Sequence, residues 1–545
     1  MIRDQIKNEL EKVAREAGFD KIELEVLPTT DPKFGDYYSS VALKIAQVQG
    51  KQKPVEIAKQ IVAKLPKSDD VFTVEIAPNG FINVTLTAGF LQSQAQKIIE
   101  QNESYGRNEI GKGKKARVEF VSANPTGPLH IGNARGGPLG DTIASVLEFA
   151  GYKVLREYIN NDKGNQVFEL GKSLAAKAGL IDASDKELTY VGGYTDDLSQ
   201  EVKKELNKDK NLPEDQIVMK AGEIGTRLMH KDIINDISDA GIKFDLVVNE
   251  SELQKKLPPA LKLLEEKGLL KEQGGATWFL LGEGFDERRD AVVIKSDGSY
   301  TYFGADIVYH KEKFESGYDL ILDVFGSNTS GHVPKIEAIV SAFGFDASKL
   351  KVILYQFVRV KRGEQVIKMS KRAGNFVTAK EVLDEVGKDA FRFTLLMYDS
   401  NTHMDFDLEQ AKKQSEENPV YYVQYAHARV SSILKKAKQE GFSLENLVKA
   451  DLKLLKTNSE IALIRKLVKF PELIEDIVGS ESYPVHLLPL NTLKIADELN
   501  RFYERTRVLG EEKETTEARL ALMMTTKIVL ANSLQLMGIS APEHM

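Results

Sequence analysis

Apolar residues recur along this chain in two rhythms. Near the start, Ile2, Ile6, Leu10 and Val13 fall on one helical stripe of MIRDQIKNELEKVAREAGF, and KPVEIAKQIVAKL repeats the pattern. The spacing then shortens to alternation in TVEIAPNGFINVTLT, which predicts two strands joined around Asn79-Gly80. A polar, glycine-containing stretch, NESYGRNEIGKGKK, reads as a linker. These elements predict a small α+β domain over residues 1–111.

A different alternation begins at residue 112. ARVEFVS predicts a strand, LGDTIASVLEFAG a helix closed by Gly151, and YKVLREYI a second strand. Such a βαβ unit favours a parallel, helix-covered sheet with ligands at the carboxyl ends of its strands. Strands are also predicted in AVVIKS, YDLILDVFG and KVILYQFV, between helices such as HVPKIEAIVSAFG, so the sheet extends to about residue 360 of a 112–400 block. The charged, helical stretch at 175–285 reads as an insertion. From 401 to 545 strands vanish and amphipathic helices follow one another. The predicted fold is multidomain α/β: a Rossmann-like parallel-sheet domain, an N-terminal α+β domain and a C-terminal all-α helical bundle.

Composition narrows the function. A chain of 545 residues exceeds what one core usually supports. Its 42% hydrophobic and 28% charged content is ordinary for globular proteins, no apolar run is long enough to span a bilayer, and the first helix is unlike a targeting peptide. The absence of cysteine excludes disulfides and thiolate chemistry and fits a cytoplasmic location. A net charge of −7 argues against a wholly basic nucleic-acid surface, leaving local patches open.

Candidate chemistry concentrates in two short stretches. NPTGPLHIGNAR lies between the first strand and helix of the βαβ unit. Unpaired N–H groups at a helix start attract anions, Gly132 lets a ligand approach, and His130 and Asn133 share a face at i, i+3. On these residues alone, a helix-capping turn with a satisfied histidine is an equal reading. Far downstream, EQVIKMSKRAGNF sets Lys368, Lys371 and Arg372 around Ser370, before the small Ala373 and Gly374, as in a loop that closes cations over phosphates. An exposed basic loop is the plainer alternative for that segment by itself. Tyr37, Tyr38 and Phe81 are likewise open between core packing and base stacking.

HIGN at 130–133 and KMSKR at 368–372 resemble the two signatures of class I aminoacyl-tRNA synthetases. Within that class the chain is similar to the arginyl-tRNA synthetases of bacterial type, through GDYYSSVALKIA, GFINVTL, VEFVSANPTGPLHIGNAR, REYINNDKGNQ, SDGSYTYFGADIVYHKEKF, KMSKRAGNFVT, NPVYYVQYAHAR and GISAPEHM. The resemblance implies activation of arginine with ATP to arginyl-adenylate and pyrophosphate, then transfer to the terminal ribose of tRNA(Arg), usually through its 2′-hydroxyl. It assigns ATP to Pro128, His130, Gly132, Asn133, Lys368, Met369, Ser370 and Lys371, with His130, Asn133, Lys368 and Lys371 catalytic. Mg²⁺ would travel with ATP, without a protein metal site. Glu119, Ser122 and Asn124 would meet the amino-acid end of arginine, and Tyr302 and Asp306 its guanidinium; Gln356 and His310 are weaker candidates.

The same resemblance implies that the first domain contacts tRNA through Tyr37, Phe81 and Asn83, and that the bundle reads the anticodon through a surface including Tyr421, Tyr422, Tyr425, His427 and Arg429. A monomer, activation that waits for tRNA, and no editing domain are further implications. The chain departs from the family at GSNTSGH, residues 326–332, where many bacterial relatives carry an ADHHG-like stretch. Roles therefore do not transfer directly to Asn328 or Thr329. Two rival classes remain: a nucleotidylyltransferase, which has no need of the outer domains, and a catalytically dead RNA-binding relative, against which the intact His130, Lys368 and Lys371 argue; another class I synthetase is the nearer alternative.

Overall fold

The computed structural model describes all residues except 1, 20–22, 30, 51, 66–70, 183, 185–187, 208–211, 283–289 and 368–376. At the N-terminal end, the helix Ile2–Glu16 buries Ile6, Leu10 and Val13, as its periodicity predicts. The alternating runs form Phe72–Ile76 and Ile82–Leu86, which pair antiparallel within a four-stranded sheet. Gly80 turns that hairpin at φ +93°, and a side chain there would meet the Pro54 ring.

The central sheet has five parallel strands in the order Leu350–Tyr355, Leu320–Gly326, Lys115–Phe120, Lys153–Asn160, Leu246–Asn249. This is a doubly wound order whose direction of winding reverses beside the first strand. Helix Gly136–Phe149 connects the first two strands and lies close against the sheet. A Cβ on Gly140 would sit 2.3 Å from the Phe120 ring. Small residues on that face therefore set the distance between helix and strand.

Several expectations change here. Leu246–Asn249 falls inside the stretch read as an insertion, yet it is the edge strand of the parallel sheet. Three helices, Asn165–Lys177, Gly193–Leu206 and Glu214–Asp239, form part of the crossover leading to it. Ala291–Ile294 does not join that sheet. It pairs antiparallel with Ala276–Phe279 in a separate three-stranded sheet. Strands also continue past residue 400, since Met404–Asp407 pairs with Val358–Arg362. Short strands of this kind carry too few alternations to show a period.

The last third contains the helices Pro419–Gln439, Asn458–Leu467, Phe470–Gly479, Leu487–Arg505 and Lys513–Leu536. SEIALIRKLVKFPELIEDIV is amphipathic throughout but forms two of these helices, splitting at Val468–Lys469, where Pro471 enters the first turn of the second. The predicted linker is also packed: Tyr105 is buried and stacks on Phe470. N-terminal region and bundle meet directly, through Asp36 with Arg465 and Lys469, and through Tyr37 with Glu472. Among the described residues no helix is long and apolar enough to cross a membrane.

Candidate active site

A cavity of about 320 Å³ opens at the carboxyl ends of the two strands flanking the switch point, Lys115–Phe120 and Leu320–Gly326. The chain leaves the first strand through Val121 and Ser122, both left-handed at φ +68° and +40°. Ser122 N–H bonds back to Phe120 O, and Ser122 Oγ accepts from Ile159 N–H at 3.2 Å. Two non-glycine residues in this region store strain of about 1–3 kcal/mol each, held by their surroundings.

The following loop is clamped at its carbonyls. Tyr158 donates to Ala123 O (2.8 Å), Tyr194 to Thr126 O (3.1 Å) and Tyr355 to Asn133 O (3.1 Å). Arg135, 1% exposed, sends its guanidinium to the carbonyls of Gln356, Thr402 and Asp399 at 2.8 Å and of Tyr398 at 3.3 Å. Burial lowers this guanidinium to about 10, against the smaller opposing pull of Tyr355 and Asp399.

Within the HIGN turn, His130 caps the short helix Ile131–Ala134, its Nδ1 accepting from Gly132 N–H at 2.9 Å. An accepting Nδ1 puts the ring proton of a neutral imidazole on Nε2. The expected unpaired N–H groups are absent from this turn. Ile131 N–H bonds to Val377 O, and those of Asn133 and Ala134 to His130 O. Any pull on an anion therefore comes from side chains. Gly132 is buried, and a Cβ there would press on the His130 ring at 2.9 Å. Asn133 reaches the cavity, and Pro128 is half-buried in the same loop.

Lys368, Met369, Ser370 and Lys371 lie outside the described residues. Their flanks do not. Ile367 N–H bonds to Val360 O at 3.0 Å, and Ala379 N–H bonds to Leu129 O at 2.7 Å, with Thr378 bridged to His130. The main chain just beyond KMSKRAGNF is thus pinned to the HIGN turn.

Glu119, Ser122, Asn124, Tyr302 and Asp306 all line the cavity. Tyr302 and Asp306 come from one turn of the helix Tyr302–Glu315. Asn124 exchanges hydrogen bonds with Gln166 (2.9 Å) and Asn161 (2.6 Å). The charge of Asp306 holds the Tyr302 phenol well above its ordinary range, although the residue as a whole is 45% exposed. Gln356 is a correction: it is not among the residues lining the cavity, and its main chain is engaged by Ser400 and Arg135. His310 is buried with Nδ1 on Asp306 O and Nε2 on Asp323. Sequence reasoning passed over Asn161, Gln166 and His332. The last puts Nδ1 3.8 Å from Asp306 and comes from the divergent GSNTSGH, whose Asn328 and Thr329 also line the cavity. Glu250, 2% exposed, does not line the cavity but lies within electrostatic reach of Tyr302 and Asp306. Burial outweighs its bond to Gln254 and, with Asp306 and Asp162 nearby, raises it to about 7.

Family models match along the whole chain: an arginyl tRNA synthetase N-terminal domain at residues 1–86, the catalytic domain of class I tRNA synthetases (R) at 94–431, and a DALR anticodon binding domain at 423–545. An arginine–tRNA ligase of Syntrophotalea carbinolica is 40% identical over 96% of this chain and 95% of its own. One of Geobacter sp. strain M21 is 42% identical over 94% and 93%. The chain belongs to the arginyl-tRNA synthetase family. The solved Thermus thermophilus arginyl-tRNA synthetase shares the fold at 22% identity, with a TM-score of 0.77 over all of both chains.

The surfaces that the family resemblance assigns to tRNA are sorted by burial. Tyr37 is 0% exposed, its hydroxyl on both oxygens of Glu472 and its ring beneath Lys469, so its expected tRNA contact is corrected to a domain junction. Its neighbour Tyr38 instead meets Phe81 edge-on on the half-buried face that also holds Asn83. On the bundle, Tyr422, Tyr425 and Arg429 line a cavity of about 590 Å³ with Tyr421 and Tyr503. Tyr425 stacks on Tyr421, and Arg429 lies 3.9 Å over the Tyr503 ring. His427 does not belong to that surface: it is buried against Pro542 O.

Proposed function

We infer that the protein is an arginine–tRNA ligase that activates L-arginine with ATP and transfers it to the 3′-terminal ribose of tRNA(Arg). The observation that carries this reading is one cavity with Asp306 and Tyr302 on its helix side and Glu119, Ser122 and Asn124 on the strand side, next to the HIGN turn. A planar, five-donor guanidinium needs a carboxylate, and an ammonium needs another. Asp306 and Tyr302 hold the guanidinium, with Glu250 behind them, while Glu119 and Asn124 orient the other end. The substrate carboxylate then attacks the α-phosphate of ATP, and pyrophosphate leaves.

The protein's part in this step is positioning and charge stabilisation. His130 presents Nε2–H, and Asn133 its amide, to the phosphates. Lys368 and Lys371 balance the departing pyrophosphate, and Mg²⁺ enters on ATP. The tyrosine-lined cavity of the bundle takes unstacked bases of tRNA, and Phe81 with Asn83 meets the tRNA body. The enzyme works as a cytoplasmic monomer, and tRNA completes the site for activation.

The test is aminoacylation of total tRNA with each amino acid in turn. Arginine alone should be charged, and His130→Ala should abolish most of the rate. Charging with another amino acid, or an unaffected His130→Ala enzyme, overturns the assignment. Robust ATP–pyrophosphate exchange without tRNA would remove the dependence on tRNA alone.

A further inference from the structure

Three carboxylates occupy one row of the central sheet. Asp323, Glu119 and Glu157 are register partners on adjacent strands, and none is more than 2% exposed. Like charges directly opposite one another on a sheet repel, and burial sharpens the effect. Two cations answer them. Arg117 grips both oxygens of Glu157. Lys313, 0% exposed, comes from the helix that carries Tyr302 and Asp306. Its ammonium reaches Asp323 Oδ1 at 2.6 Å and Glu119 Oε2, with Glu157 Oε2 3.8 Å away.

Both strong donors to Glu119 converge on one atom, because Tyr309 also donates to Oε2, at 2.9 Å. Glu119 Oε1 has no hydrogen-bond partner among the described residues, and Glu119 lines the cavity. Lys313, Arg117 and, on Asp323, His310 face these three carboxylates, and the Oε1 of Glu119 is left for an incoming ammonium. On balance the Glu119 carboxyl lies above its ordinary range: burial pushes it up, Lys313 draws it down, and Asp323 and Glu157 push it up again, so Lys313 is the group that favours its carboxylate form.

We propose that Lys313 is a positioning residue for the substrate: it keeps Glu119 ionised and turned so that Oε1 receives the α-ammonium of arginine. This rests on the reading of Glu119 as the partner of the amino-acid end. A merely structural ion pair would treat every ligand of the cavity alike, whereas this role touches only ligands that carry the ammonium.

The experiment compares arginine with 5-guanidinopentanoate, its analogue without the α-amino group. In Lys313→Met, the arginine KM for aminoacylation rises about 10- to 150-fold, the range of one hydrogen bond to a charged group. The inhibition constant of the analogue stays at its wild-type value. The variant's arginine KM also falls as pH rises, because a Glu119 left with Tyr309, Asp323 and Glu157, and with Arg117 and His310 farther along the network, ionises only at higher pH. Lys313→Met/Asp323→Asn removes one charge of each sign, which limits the buried charge left unpaired, and Glu119 still lacks the donor that turns it, so its arginine KM stays above that of Asp323→Asn alone. Equal weakening of arginine and the analogue in that double variant overturns the proposal, as does an unchanged arginine KM. Glu119→Gln is the separate check: if it weakens both ligands equally or neither, the reading of Glu119 fails and the proposal with it.

Discussion

Arg135→Met tests how far the chemistry depends on a residue that touches no substrate. The wild-type guanidinium is buried and bonds four carbonyls. Asp399 O keeps a second donor in Thr402 N–H. The carbonyls of Gln356, Tyr398 and Thr402 have no other backbone donor among the described residues. Tyr398 and Thr402 are exposed and Gln356 is half-buried, so water replaces part of what their carbonyls lose, and the total stays on the order of 3–5 kcal/mol, the scale for breaking a buried charged contact. That loss loosens the HIGN turn from the end of the Leu350–Tyr355 strand and from the 398–402 turn, which lies against Tyr483 and His486 of the helical region. A displacement on the order of 1 Å at the reacting centre costs about 100-fold in rate. The cavity walls at Glu119 and Asp306 are held by other contacts, so arginine binding should survive. The expected result is a kcat at least about 100-fold lower in aminoacylation, with arginine KM near wild type and partial recovery in Arg135→Lys. A wild-type kcat, or arginine affinity lost in step with kcat, would refute this reasoning.

Other substitutions separate the remaining roles. Asp306→Asn keeps the shape and removes the charge, so kcat/KM for arginine should fall about 10- to 150-fold while discrimination against neutral citrulline shrinks; an unchanged ratio sinks the guanidinium assignment. Glu250, raised to about 7, is largely protonated below that pH and ionised above it. Arginine binding should therefore release a proton and tighten between roughly pH 6 and 8, and Glu250→Gln should flatten that slope in pH-resolved KM measurements. Tyr37→Phe should lower stability by about 1–3 kcal/mol at the Glu472 contact and leave tRNA affinity intact, whereas Phe81→Ala should weaken tRNA binding and spare the melting temperature. Filter binding and thermal melts on both variants decide, and tRNA affinity lost in Tyr37→Phe would contradict the burial argument.

How much was readable in the sequence depended on range. The first βαβ unit is short-range, and its periodicities and Gly151 show it without any partner. The edge strand Leu246–Asn249 is not of that kind. Its four residues are exposed to intermediate, and it joins the sheet only after a crossover of more than eighty residues. Tyr37 and Tyr38 are adjacent and chemically identical, yet the pleat sends one beneath the Phe470–Gly479 helix and leaves the other beside Phe81. No local pattern distinguishes them. Glu250 was invisible for the same reason, since its meaning comes from Asp306 and Asp162 nearby in space.

The loop NPTGPLHIGNAR shows which part of a proposed phosphate site local rules can reach. Local rules suggested that bare N–H groups at a helix start would bind the anion, but those groups are already bonded to His130 and Val377. What remains to act on a phosphate is a pair of side chains, and side chains are only as well placed as the backbone beneath them. That backbone is fixed from Tyr158, Tyr194, Tyr355 and Arg135, the first three reaching in from other elements. The Tyr355 hydroxyl ties Asn133 to the last parallel strand, the one that leads into the hairpin before KMSKR. Tyr355→Phe should therefore lower kcat more than it raises the KM for ATP, because ATP in its ground state tolerates a looser turn than the transition state does. If the KM for ATP carried the whole effect, the turn would be a binding device, and the positioning argument for this loop would fail.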